Sequence, residues 1–163
     1  MKKDMRTTFM KEIQKELKNN GYDSFIGGSY RFGFERDTSD VDIFVNAGFS
    51  SHNEDDNELL YRSELINQIF PYGMCHLINN SIGYDSAFCQ YQIWNLVHIN
   101  FYWEIDYNRI KEEHILVEKY LNRHKILKQM RTVAASGTIF YQKILSMAKR
   151  ERFNKICKKN PSS

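Results

Sequence analysis

The sixteen residues from Gly27 to Asp42 limit what this chain can fold into more than any other stretch. Ser24-Phe25-Ile26 runs directly into Gly27-Gly28-Ser29, and Asp40-Val41-Asp42 runs directly into Ile43-Phe44-Val45. Two short apolar runs, one entering a glycine turn and one opening on alternating acids, predict strands over 24–26 and 40–46. Each part of the motif has a chemical use. Glycines let backbone N–H groups approach a phosphate closely, and a serine adds a hydroxyl donor. In a strand, Asp40 and Asp42 project to one face with Cα atoms roughly 7 Å apart. Such a pair can hold one or two hard cations, and Mg²⁺ typically takes one or two carboxylates together with substrate phosphates. The stretch therefore predicts a site for a metal-bound nucleoside triphosphate.

Gly28-Ser29, ten intervening residues and then Asp40-Val41-Asp42 before an apolar strand resembles the signature of the polymerase-beta-like nucleotidyltransferase superfamily. Small stand-alone bacterial members read Gly-Ser, ten residues, Asp-Ile-Asp. Gly28-Ser29-Tyr30-Arg31-Phe32-Gly33 is similar to a stretch of poly(A) polymerases. The resemblance implies transfer of a nucleoside monophosphate from a triphosphate to an acceptor hydroxyl with Mg²⁺ or Mn²⁺. Asp40 and Asp42 would hold the metal and carry catalysis. Gly27, Gly28, Ser29 and Arg31 would meet the phosphates, with a short helix beginning at Ser29 and aiming free N–H groups at them. Arg36-Asp37 fits a surface turn better. Tyr30 and Phe32 fit packing against the sheet better than stacking on a base.

Catalytic members of that superfamily add a third carboxylate from a later strand, which serves as general base and second-metal ligand. The counterpart here is Val97-His98-Ile99-Asn100-Phe101-Tyr102-Trp103-Glu104. Alternation puts His98, Asn100, Tyr102 and Glu104 on one face. Asn100, flanked by Ile99 and Phe101, fits the apolar-acid-apolar pattern but carries no charge. His98 offers an imidazole as ligand or base, although Mg²⁺ prefers oxygen; the alternative is a strand histidine bonded to a neighbour. His98-Ile99-Asn100 followed by the segment Glu113 to His124 is similar to the GrpB-like branch of the superfamily, which would make the missing aspartate a feature of the branch. His52, His76, His114 and His124 lack ligand-like spacing and receive no role.

At 163 residues one domain is expected. The predicted class is α+β: a small mixed sheet with packed helices over 1–105, a C-terminal helical extension of the same domain over 106–157, and a disordered tail over 158–163. Phe9, Met10, Ile13 and Leu17 predict a helix over 5–20, stopped by Asn20-Gly21. The acids Glu54, Asp55 and Asp56 read as a solvated loop and helix start. Leu59 to Ile69 predicts a helix ended by Pro71. Strand-like pieces follow at 74–78, 87–93 and 96–103, the last two divided near Trp94-Asn95 as a hairpin. Helical periodicity then runs from Asp106, with Ile126, Leu127, Met130 and Val133 continuing the apolar face, a break at 134–137 and a last helix.

No apolar h-region and no run of membrane-spanning length is present, so a cytoplasmic protein without membrane contact is expected. Cys75, Cys89 and Cys157 are odd in number and read as free thiols. Residues 121–163 hold eleven Lys and Arg against one acid, and residues 1–120 hold twelve against nineteen. The basic C-terminal part suits a polyanion such as RNA, or neutralises the acidic part within the protein. Besides the triphosphate, the acceptor can be RNA, a protein or a small molecule. The alternative function is a catalytically weak or inactive binding module with the same fold, pairing with RNA or a toxin-type protein.

Overall fold

In the computed structural model of the chain, the described residues are 3–33, 40–49, 56–70, 75–82, 87–94, 96–123 and 137–159. They form helix α1 (Lys3–Asn19), strand β1 (Ser24–Gly27), helix α2 (Gly28–Phe32), strand β2 (Val41–Asn46) and helices α3 (Asp56–Glu64) and α4 (Ile66–Ile69). Strands β3 (Cys75–Ile82), β4 (Ala87–Ile93) and β5 (Val97–Tyr102) follow, then helices α5 (Glu104–Arg123) and α6 (Gly137–Lys159). The five strands make one mixed sheet in the order β1-β2-β5-β4-β3. β2 and β5 run parallel, and the other pairs are antiparallel. The α+β class read from the sequence is the observed one.

Period-two alternation decides which side of the sheet does what. Val41, Ile43 and Val45 on β2 and Val97, Ile99 and Phe101 on β5 are wholly buried. They share one core with Met10, Ile13 and Leu17 of α1, Leu59 of α3 and Ile66 of α4. Each such side chain contributes about 1.5–3 kcal/mol of burial. The residues between them, Asp42 and Phe44 on β2 and His98 and Asn100 on β5, therefore face the opposite side. There α5 and α2 cover part of the sheet: Phe25 packs on Tyr107, and Phe44 on His114. A second core joins Phe32 of α2 to Leu116, Val117 and Leu121 of α5 and to Ile144 and Ala148 of α6.

Local endings follow from sequence. α1 stops where Gly21 takes φ +83°, with Gly21 N–H donating to the Lys18 carbonyl and Tyr22 N–H to that of Leu17, a Schellman closure. The β4–β5 hairpin turns at Trp94, at φ 48°, whose ring stacks on Phe9 at 5.1 Å.

Several boundaries differ from expectation. The helix read through Ile69 is interrupted at Leu65 and becomes α3 and α4. β3 continues to Ile82 because it pairs with β4 along its length, across an irregularity between Leu77 and Asn79. α5 begins at Glu104 rather than Asp106, since acids suit the first turn of a helix. α6 runs through Lys159, so Lys158 and Lys159 end a helix instead of opening a disordered tail; residues 160–163 lie outside the described residues. The predicted continuation over 126–133 and the break at 134–136 also lie outside them. Cys75 and Cys89 are not joined in a disulfide; the Cys157 side chain lies outside the described residues. No helix among the described residues is long and apolar enough to cross a membrane.

Candidate active site

The glycine turn and the acid pair meet. Gly28 opens α2 at φ +63°, a conformation that side chains other than glycine's rarely adopt. A methyl group added there would collide with Asp42 Oδ2, and one added at Gly27 would strike the Phe44 ring. Asp42 thus lies directly against the backbone of the turn. It holds that place because it sits one residue inside β2, opposite Gly27 in the β1–β2 register. Asp40 lies just before the strand and is half-buried. Both acids reach one imidazole: His98 Nε2 is 3.8 Å from Asp40 Oδ2, and His98 Nδ1 is 3.8 Å from Asp42 Oδ1. The two carboxylates therefore flank one imidazole, with Asp42 against the turn.

Parallel pairing of β2 with β5 places His98 beside Asp42, and β4 places Gln92 beside His98. A second row runs through Phe44, Asn100 and Gln90. Asn100 is 3% exposed, and its side-chain amide is held from both ends. A carboxylate only accepts, so the Asn100 NH₂ faces Asp42 Oδ1, at 3.4 Å, while Gln90 Nε2 donates to Asn100 Oδ1 at 2.7 Å. The Gln92 amide lies 3.2 Å from His98 Nε2. Neighbouring Asp42, and then the charge of Asp40, raise the His98 pKa against the opposing effect of burial. Of the two positions where a third metal ligand was expected, Asn100 turns its NH₂ group toward Asp42, and His98 sets its ring 3.8 Å from both acids. Among the described residues no group of three His, Cys, Asp or Glu side chains could hold a metal ion. Asp40 and Asp42 would suit one hard cation completed by phosphate oxygens, and among the described residues no third carboxylate joins them.

No family model matches the chain, and no curated protein matches it. Among solved structures it is similar to a chain in the structure of the GLD-2/RNP-8 complex, with a TM-score of 0.54 and 11% sequence identity, over 89% of this chain and 57% of that one. The fold here is nucleotidyltransferase-like. The chain spans 57% of its relative's length, and the likeness is one of fold.

Within this nucleotidyltransferase-like fold the remaining sequence-predicted residues divide. Ser29 is the second residue of α2, but its side chain lies outside the described part, as do Arg36, Asp37 and Ser39. Arg31 is placed differently from the expected phosphate contact. Its Nε donates to Glu118 Oε1 at 2.9 Å and one Nη to the Ile26 carbonyl at 3.2 Å, and it lies over Phe25 and Phe32. Those contacts tie α2 to α5 and β1. Tyr30 packs on the sheet core as expected, with a 2.8 Å hydroxyl contact to Thr7, whereas Phe32 is buried against α5 and α6 and not in the sheet core. Tyr102, on the site face, has its hydroxyl pushed up to about 12 by burial and then by Asp42.

Three participants escaped the sequence. Gln90 and Gln92 are spaced by two on a strand, a signal visible only once β4 is known to lie beside β5. His114 was assigned no role, yet Gly28 N–H donates to its Nε2 at 3.1 Å. Eighty-six residues separate that pair, and no local spacing could announce it.

Proposed function

We propose that the chain is a nucleotidyltransferase that moves a nucleoside monophosphate from a triphosphate to an acceptor hydroxyl, with RNA, a protein or a small molecule as acceptor. One observation supports this above the others: Asp42 touches the Gly28 turn while sharing His98 with Asp40. A polyphosphate lying over the turn would meet both acids. Bound there by Asp40 and Asp42, Mg²⁺ or Mn²⁺ would neutralise phosphate charge and the charge that develops on the departing pyrophosphate. The acceptor oxygen forms a bond to the α-phosphorus, the bond from that phosphorus to the bridging oxygen breaks, and the hydroxyl proton is released. Gly27 and Gly28 keep the turn narrow enough for phosphate to approach backbone. Asn100, fixed by Gln90, donates toward Asp42 and holds that carboxylate in place. His98 serves as charge partner of the acid pair, and the base role expected from sequence requires its neutral ring.

A second reading has its own support. With His98 and Asn100 where a third carboxylate would be expected, the site fits nucleotide binding better than fast chemistry, as in a weak or inactive module bound to RNA or a toxin-type protein. Turnover separates the two. Purified chain with Mg²⁺, labelled triphosphates and candidate acceptors should release pyrophosphate, and Asp42→Asn should reduce release by at least about a hundredfold, the scale of losing a transition-state electrostatic contact. Binding of triphosphate without release favours the module, and equal release by wild type and Asp42→Asn removes the site assignment.

A further inference from the structure

We infer that His114 is a positioning residue: its neutral ring sets the Gly27-Gly28 turn against Asp42 from the far side. The consequence for nucleotide rests on the reading above, whereas the geometry does not. His114 lies within α5 and is 4% exposed. Its ring is enclosed by those of Phe25, Phe32 and Phe44, with centroids 5.2, 5.5 and 5.4 Å away. Nδ1 lies 2.8 Å from the Ile110 carbonyl oxygen. A carbonyl only accepts, so Nδ1 carries the hydrogen. Nε2 is then a lone pair, and Gly28 N–H donates to it at 3.1 Å. The two bonds together admit one form of the ring, neutral and protonated at Nδ1.

Both glycines are shaped around this contact. A side chain at Gly27 would come within 2.7 Å of His114 Nε2, and Gly28 is the residue that abuts Asp42. One helical turn further along α5, Glu118 accepts from Arg31. α5 therefore grips α2 near both ends, at Gly28 and at Arg31. The charged groups around the ring are Arg31 on α2, Asp42 on β2 and Glu118 on α5, none of which replaces the acceptor that Gly28 uses. Without that acceptor the Gly28 amide is left unpaired among aromatic rings, a costly state that the turn can relieve only by moving. Movement there displaces the surface on which Asp42 rests.

The test uses the full chain. In ¹⁵N-labelled protein at pH 7.5, the His114 ring should show a protonated Nδ1 and a bare Nε2, and the Gly28 amide should exchange slowly with solvent. His114→Phe keeps a ring and removes the acceptor; His114→Gln offers an amide oxygen. His114→Phe should release the Gly28 amide to fast exchange and weaken binding of Mg²⁺ with α,β-methylene ATP by about tenfold or more, while His114→Gln restores most of both. Unchanged Gly28 exchange in His114→Phe, or unchanged binding, overturns the inference. Should wild type bind no α,β-methylene ATP, the nucleotide reading falls, and Gly28 exchange alone decides whether His114 holds the turn. Should His114→Phe fail to fold, the wild-type ring decides: a hydrogen on Nε2 refutes the assignment, and a bare Nε2 with rescue by His114→Gln sustains it.

Discussion

Gly28 concentrates two separate demands on one residue, and another glycine in the chain separates them. At Gly21 the backbone is also left-handed, at φ +83°, but a side chain there would meet nothing within 4 Å. Gly21→Ala should therefore cost only the left-handed conformation, about 1–2 kcal/mol. Gly28→Ala adds a collision with Asp42 Oδ2, and should cost at least about 1 kcal/mol more, on the scale of overpacking. Urea unfolding of the two variants measures both, and equal losses would mean that Asp42 does not rest on the turn. At this scale the sequence was legible in placement, since the glycine turn meets Asp42 and one imidazole lies beside Asp40 and Asp42. It was silent on His114 and misleading on Arg31, because an arginine beside a phosphate turn does not disclose that Glu118, in a later helix, will take its guanidinium.

At the scale of elements, alternation predicts one face for Asp40 and Asp42 and one for His98 and Asn100, and the parallel register of β2 and β5 is what makes Asp42 and His98 neighbours. What alternation could not supply is the next strand. β4 brings Gln90 and Gln92 into the same rows, and Gln90 fixes which end of the Asn100 amide meets Asp42. The helix boundaries around Leu65 and Glu104 were equally hidden, since they depend on how each helix lands on the sheet. The row makes a prediction for Asn100→Asp. A carboxylate in this buried position, beside Asp42, puts like charges together and loses the donor toward Asp42, so the metal-free variant should be less stable by about 1–3 kcal/mol. A cation held by the same acids would offset that repulsion. Mg²⁺ should accordingly raise the melting temperature of Asn100→Asp more than that of wild type. Equal shifts in the two proteins would place the cation elsewhere.

Across the whole molecule, two histidines on the site side of the sheet, His114 buried and His98 partly so, respond to pH with opposite sign. Burial lowers the His114 pKa, outweighing its bond to the Ile110 carbonyl, with Arg31 adding to the depression and Asp42 and Glu118 opposing it. In the unfolded chain the ring takes up a proton near its ordinary pKa of about 6.5. Above that pH both states are neutral and His114 favours neither. As pH falls below it, the unfolded state binds the proton first, and stability is lost until the pH passes the depressed folded value. His98 does the reverse. Its pKa is raised by Asp42 and Asp40, so its contribution is full below the unfolded value and disappears as pH rises through the folded one. In metal-free buffer between pH 5 and 8, His114→Phe should remove an acid-side loss, so that its stability falls less on acidification than that of wild type. His98→Gln should remove the opposing gain and fall more. Urea midpoints across that range test the pair of slopes, and slopes shifting in the same direction would contradict the arrangement of one ring enclosed behind the glycine turn and one ring beside both acids. The α5 helix thus adds more to the site than cover for the sheet: the same packing that buries Leu116 and Val117 against Phe32 keeps His114 dry enough to stay a hydrogen-bond acceptor.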